Sequence, residues 1–535
     1  MSQNNQSNNN NYNSSLSSLF SNSNPNQNDQ DSKMESKLQF RQDQFTNDDN
    51  YSQIKESIMS KELSLGENNR NKIFMQKRLN KKINIENNLS LYNVLNIPKE
   101  SYIQLVNEEI TIKDFSKIIN LFHSQNIDDK FKGLIGLRKL LSIESNPPIQ
   151  EIVDLNIVPE LISLLDNPLY EFKYESTYCL CNIAYGTAEQ AKTIMIYGGI
   201  SKILNLLDCP IEEIKSQTIW LVSNLVTDSL QIRDSLIENK ILDKILTILA
   251  STNNNNYINI STWCISNFFR VKPIPKYDLC LKIFNVITRV VLIDDKNDED
   301  FIDNVCFFFY AVTHKYKVLN KEIIETGLLK RLIYYLDNKK RSIILTCLGI
   351  VGNIACTDDA NQTQVLIDLG ILDKLKYTLF NESMNVRKES AFILSNITVG
   401  TQKQIEAVIK QNFLQILYKV YNNDNPKVKK EAIMAIANFT LVEDEQYMKK
   451  NFEDNILMII LELLKNEDAF YVAIGLEMLA NIFAFGEKNG KKKEIQNECE
   501  KIGISDILEK LQMHENQIVY EKTIKILDTY FDIES

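Results

Sequence analysis

The chain has 535 residues, well past the size at which one compact core stops growing, so it folds as several domains or as a repeat array. Hydrophobic residues make up 44% and charged residues 24%, a globular mixture, while Gly (15) and Pro (10) are scarce enough to favour helices. A net charge of −10 argues for cationic partners and against general nucleic-acid binding, and only three histidines argue against a metal site.

In chain order, residues 1–65 are mainly Asn, Ser, Gln and Asp, and such a segment cannot bury enough apolar surface to offset its ordering entropy. It is expected to be a disordered tail. The stretch 66–90 contains RNKIFMQKRLNKK (70–82), with Lys77, Arg78, Lys81 and Lys82 and no acid among them. From about residue 110 to 535 the pattern is dense amphipathic helix. No apolar run is expected to reach the roughly eighteen residues of a membrane span, and the N-terminus is too polar for a signal peptide, which predicts no membrane partner. The nine cysteines are scattered inside apolar helical patterns, where free Cys packs as a small hydrophobe. Neither a cofactor nor a metal is expected.

The helical region is periodic. Asn182, Asn224, Asn267, Tyr310, Asn353, Asn396, Asn438 and Asn481 follow one another at intervals of 42 or 43 residues. The only two tryptophans, Trp220 and Trp263, are themselves 43 apart, and each lies four residues before one of these asparagines. A self-match at 40–47 residues is the signature of armadillo or HEAT-type helical repeats. The expected fold is all-α: an armadillo-repeat, right-handed superhelical solenoid of about ten three-helix repeats. One unit cannot bury its apolar face alone, so neighbours stack, and their third helices line a concave surface.

Residues i and i+4 share a helix face, so each tryptophan projects with its asparagine beside the pair from the next repeat. Neighbouring indoles would make slots for a lysine stem and ammonium, and a carboxamide can clamp an extended peptide backbone. Asp228 lies one turn beyond Asn224, and Asp303 precedes the ladder position Tyr310. Glu389 and Glu431 each sit three residues before Phe392 and Met434, which hold the indole positions of later repeats. Two alternatives stand beside this: a tryptophan on an apolar helix can be core, and an asparagine ladder can be structural, bonding to adjacent turns.

The segments NPPIQEIVDLNIVPELISLLD (146–166), YESTYCLCNIAYGTAEQ (174–190), IKSQTIWLVSNLVTD (214–228), STWCISNFFR (261–270), VRKESAFILSNITVG (386–400) and LQMHENQIVYEKTIKILDTYF (511–531) resemble the importin alpha family. These proteins are nuclear import adaptors, and the likeness covers about 110–532. It implies a major site for basic nuclear localisation signals formed by Tyr178, Asn182, Trp220, Asn224, Trp263 and Asn267. Asp228 would hold the principal lysine, with Ser142, Gly186, Thr187, Gln217 and Asp303 around the groove. Asn353, Asn396 and Asn438, with Glu389 and Glu431, would form a minor site, and Arg270 would lie between the two. The chain departs from the family at Tyr178, and again at Phe392 and Met434, which replace both minor-site tryptophans; Cys306 and Gly349 replace Trp and Arg between the sites. Phenylalanine has a weaker face for a cation and methionine has none, so a weak minor site is expected.

The resemblance further implies that Lys77, Arg78, Lys81 and Lys82 form a self-inhibiting segment that also binds importin beta, although the upstream cluster is sparsely basic. It also implies that the last repeats bind the export receptor with Ran, and that the protein shuttles between cytoplasm and nucleus without enzymatic activity. A general armadillo scaffold binding other extended peptides is the alternative. An enzyme finds no phosphate-cradling Gly loop and no nucleophile–base spacing to support it.

Overall fold

The computed structural model describes residues 107–143, 145–227, 229–293, 298–357 and 359–531, together with Gln104. The tail 1–65 and the basic segment 66–90, with Lys77, Arg78, Lys81 and Lys82, lie outside them, as does Asp228. Every regular element among the described residues is helical. The described residues up to Tyr316 form one compact unit and those from Lys317 onward another.

Each unit is a stack of armadillo repeats: two short helices, then a longer third. The third helices of the first unit are α1 (Ile127–Leu141), α2 (Tyr170–Ala184), α3 (Glu212–Leu225), α4 (Asn255–Asn267) and α5 (Glu299–Lys315). Those of the second are α6 (Arg341–Ala355), α7 (Met384–Ile397), α8 (Pro426–Phe439), α9 (Ala469–Lys488) and α10 (Gln517–Tyr530). Within each unit, every third helix packs on the next.

Local chemistry sets these boundaries. The first two helices of a repeat, such as Ile149–Asp154 and Val158–Leu164, are separated by one left-handed residue, Asn156 at φ 57°. The corresponding left-handed turns carry Gly198, Gly327, Gly370 and Gly503, for which positive φ has no steric cost. Six of the ten third helices begin at capping side chains: Asn126, Asn254, Asp298, Asn425, Asp468 and Asn516 each accept from amides of the first turn. Within each unit their apolar faces contribute to the core. Fully buried Phe131, Phe269, Phe284, Phe308, Phe309 and Phe483 each contribute roughly 1.5–3 kcal/mol of transfer free energy.

One repeat is irregular. Between α4 and the helix Tyr277–Ile293 the first short helix is missing, and VKPIPK (271–276) runs without regular structure. Pro273 and Pro275 remove two amide donors there. Buried Arg233 secures the segment by donating to the carbonyls of Val271, at 2.8 Å, and Pro273.

All nine cysteines are free thiols and eight are buried; burial pushes the Cys280 and Cys499 thiols up to about 12. α9 corrects one expectation, because its 20 residues are long and apolar enough to cross a bilayer. It is instead a core helix, packed between α8 and α10 with 61% of its most apolar window buried. The apolar residues were hidden from a run-based reading by Glu477 within the helix and Glu487 at its end.

Candidate peptide-binding site

In the first unit the ladder positions sit on consecutive stacked helices: Tyr178 and Asn182 on α2, Trp220 and Asn224 on α3, Trp263 and Asn267 on α4. All three rings are half-buried. The indoles of Trp220 and Trp263 meet edge to face, with centroids 5.3 Å apart and planes at 65°. The slot expected between them is therefore closed. A methylene stem between two faces needs centroids roughly 7–8 Å apart, two van der Waals separations of about 3.5–4.0 Å each. The edge-to-face contact is the arrangement that aromatic quadrupoles favour, so a lysine stem must part the rings.

The asparagines make contacts within the stack. Asn182 Nδ2 donates to Ser142 Oγ at 2.9 Å, and Asn224 Nδ2 to the Cys181 carbonyl at 3.0 Å. Asn267 Nδ2 donates to the Ser223 carbonyl and Oγ at 3.2 and 3.0 Å. Each partner lies on the third helix of the preceding repeat or at its C-cap, 40–44 residues back. The ladder thus ties repeat to repeat, which is the structural alternative raised by the sequence. A carboxamide also carries an oxygen that can accept, and at Asn267 it is taken by Arg270 Nε. At Asn224 the oxygen accepts no hydrogen bond among the described residues.

Neighbouring candidates have internal roles as well. Gly186 and Thr187 form the turn into the helix Ala188–Ile196. Thr187 accepts from the Gln190 amide at 3.3 Å, and the Gln190 side chain accepts from the Thr187 amide at 2.9 Å. A Cβ on Gly186 would stand 2.2 Å from Gln190 Oε1, so this reciprocal cap needs glycine. GTQKQ (400–404) repeats the arrangement. Arg270 Nε donates to Asn267 Oδ1 at 2.9 Å, and its guanidinium lies 4.5 Å from the centroid of Phe307. Gln217 is half-buried on α3, while Asp303 is buried on α5. Thr227, the residue before Asp228, closes the end of α3 by donating to the Asn224 carbonyl at 2.8 Å.

Sequence reasoning missed a charged pair at the Tyr178 end. Arg138 on α1 bonds to Glu175 on α2 through Nε and Oε2 at 2.5 Å, and the Glu175 side chain is fully buried. The same guanidinium lies 5.2 Å from the Tyr178 centroid. A desolvated cation over a ring is worth about 2 kcal/mol. Arg138 precedes Glu175 by 37 residues, off the 42–43-residue period, so the spacing carried no signal of this pair.

In the second unit the corresponding row is α6, α7 and α8 with Asn353, Asn396 and Asn438. Asn438 Nδ2 donates to the Ser395 carbonyl at 3.2 Å and Thr398 Oγ1 at 3.1 Å, repeating the inter-repeat bond. Asn396 differs, turning back to the Phe392 carbonyl at 2.9 Å. The Asn353 carbonyl accepts from buried Asn320 at 3.2 Å. Phe392 and Glu389 are buried, and a Cβ on Gly352 would stand 3.4 Å from the Phe392 ring. Glu431 and Met434 are half-buried on α8. With Gly349 on α6 and Met434 on α8, this row has no pair of facing aromatic rings.

Residues 145–185, the repeat that ends in α2, match the Armadillo/beta-catenin-like repeat family. The chain is 31% identical over 430 residues to importin subunit alpha-1a of Oryza sativa subsp. japonica, covering 78% of this chain and 80% of that protein. The chain belongs to the importin alpha family. Importin subunit alpha-3 of Arabidopsis thaliana is 32% identical over 416 residues, covering 76% of this importin alpha and 78% of the relative. The probable importin subunit alpha-A of Dictyostelium discoideum is 26% identical over 441 residues, covering 79% and 80%. Among solved structures, that of an engineered protein superposes with a TM-score of 0.62 at 21% identity, over 78% of this chain and 98% of that one. That likeness concerns the fold alone.

Proposed function

We propose that this importin alpha, a nuclear import adaptor, takes Lys/Arg-rich nuclear localisation signals across α2, α3 and α4 and links them to importin beta. Trp220 and Trp263 part to receive a lysine stem, and Asp228 pairs with its ammonium. The Asn224 oxygen holds the peptide backbone while its Nδ2 keeps the repeats together. Arg270 and Asp303 shape the far end, and Ser142, Gly186, Thr187 and Gln217 its surroundings. Binding involves no chemical step.

Residues 66–90 are the importin-beta segment, with Lys77, Arg78, Lys81 and Lys82 as a pseudo-signal, and 1–65 is a tail. A tethered segment meets its own groove at an effective concentration of about millimolar, enough for a weak pseudo-signal to compete with cargo. The last repeats meet the export receptor with Ran, and the protein shuttles between cytoplasm and nucleus. The row Asn353, Glu389, Phe392, Asn396, Glu431, Met434 and Asn438 forms a weak second site.

Support comes above all from one observation: the chain's only two indoles touch each other, half-buried, each four residues before a ladder asparagine. The test is a calorimetric titration of a lysine-rich peptide into single and double alanine variants. Trp220→Ala or Trp263→Ala is expected to weaken binding by about tenfold or more, the loss of a desolvated cation–ring contact. Phe392→Ala with Met434→Ala should change it by less than about threefold, since neither offers a strong cation face. Equal losses would refute the assignment.

A further inference from the structure

The second helices of the repeats carry a solvent-facing position that recurs along the chain. It falls seven residues after the left-handed residue that precedes each of these helices. In the first unit it is Ser163, Asn205 and Thr247, and late in the second it is Lys419, Glu462 and Lys510, all of them exposed. In two adjacent repeats of the second unit it is Tyr334 and Tyr377, which are 57% and 79% exposed. Phe380, three residues beyond Tyr377, is 51% exposed. Its place is held elsewhere by Asp166, Asp208 and Asp337, each paired with a lysine on the next second helix. The lysine that would answer Phe380 is also missing, since Ile416 stands there. The Lys374–Asp337 pair holds the helices Leu328–Tyr334 and Ile371–Thr378 side by side. Single exposed apolar residues are ordinary, but three rings on neighbouring helices, at positions that are polar in other repeats, mark an interaction surface.

The charges around the rings state what fits. Asp337 and Asp373 are already paired, with Lys374 and Lys376. Lys330, Lys339 and Lys419 are exposed and have no carboxylate partner among the described residues, against one exposed acid, Glu382. Lys419 Nζ lies 5.4 Å from the Phe380 centroid, so cation and ring face the solvent together. In a chain of net charge −10 this patch is locally basic. We propose that Tyr334, Tyr377 and Phe380 form a docking surface for an acidic protein segment that carries apolar side chains. Packed helices lie about 8–10 Å apart, which an extended segment spans in about three residues. Apolar side chains at every third position therefore meet successive rings, and the acids between them meet the lysines. A second copy of this chain would bring the same lysines and be repelled. The surface lies on second helices, so the inference goes beyond the peptide binding proposed for the third helices of the first unit.

The test is fluorescence anisotropy on the full-length protein with a dye-labelled synthetic peptide. The peptide has leucine or phenylalanine at every third position and aspartate or glutamate between. Saturable binding is expected, and Tyr377→Ser combined with Phe380→Ser should weaken it by at least about tenfold. Both positions are exposed, so this variant should keep its helical content and its affinity for a lysine-rich peptide. Lys419→Glu should weaken the acidic peptide by about threefold or more at low salt and by less at high salt. No saturable binding by the wild type, or equal binding by the double serine variant, would overturn the inference. Two further outcomes would overturn it by naming another occupant. One is displacement of the peptide by oligothymidylate at lower concentration than by unlabelled peptide, because single-stranded nucleic acid also uses lysines and exposed rings. The other is a dimer in sedimentation that the serine variant abolishes.

Discussion

Glu171, in the first turn of α2, is 2% exposed, and neither carboxylate oxygen has a hydrogen-bond partner. Burial raises its pKa above the ordinary carboxylate range, opposed only by its own backbone amide. An acid with a raised folded pKa favours folding at low pH and loses that contribution as pH rises through the folded value. Glu171→Met keeps the length and removes the buried carboxyl, and should stabilise the fold by about 1–3 kcal/mol at pH 7. In urea unfolding the gain should shrink toward pH 4, where the wild-type carboxyl is protonated; a gain independent of pH would contradict this. Asp424 has the opposite sign. Burial pushes its carboxyl up, but hydrogen bonds from Arg387 at 2.6 and 2.8 Å and from the Asn425 amide hold it below its usual value. Its stabilisation is complete above the unfolded value of about 3.9 and is lost as pH falls through the lower folded value. Asp424→Asn should cost about 1.5–3 kcal/mol at neutral pH, with the gap closing as the pH falls from the unfolded value of about 3.9 through the lower folded one.

At the scale of helices, the asparagine ladder is first a set of staples. Asn438→Ala removes two bonds from α8 to the preceding repeat and leaves the Ser395 carbonyl and Thr398 hydroxyl without that donor. A loss of about 1–3 kcal/mol in urea unfolding is expected, with no peptide present. Unchanged stability would return the asparagines to ligand binding alone. Lysine–aspartate contacts also recur between second helices of adjacent repeats, at Lys202–Asp166, Lys244–Asp208, Lys282–Asp243 and Lys374–Asp337. Each is too exposed to contribute more than about 1 kcal/mol. The elements were legible to different degrees. The period could be read because Asn182, Asn224, Asn267, Asn438 and Asn481 each spend their side chain on the same kind of inter-repeat bond, 40–44 residues back. The reciprocal cap at Gly186, Thr187 and Gln190 was written in the sequence as a T-x-x-Q signature, yet a resemblance to a groove hid it. Pro273 and Pro275 likewise announced the missing helix. The Arg138–Glu175 pair and the closed contact of Trp220 with Trp263 depend on side-chain direction between helices, which spacing does not encode.

Over the whole chain, 70 acidic against 60 basic residues make a polyanion that attracts a basic ligand at long range without selecting one. Selection needs a local device, and the first unit has facing aromatic rings where the second has Gly349, buried Phe392 and Met434. The family assignment and the all-α repeat architecture follow from the same periodic residues; the proposed cargo preference rests on where the rings were kept. Because Trp220 and Trp263 are the only tryptophans, tryptophan fluorescence, excited selectively over the 22 tyrosines, reports on this site alone. The most direct measurement is therefore a fluorescence titration of the full-length protein with a lysine-rich peptide, beside its Asp228→Lys variant. A saturable change in the wild type and a loss of at least about a hundredfold in affinity in the variant, of the size seen when a buried charge pair is broken, is the expected result. Equal binding by both proteins, with the variant's helical content intact, would contradict the account.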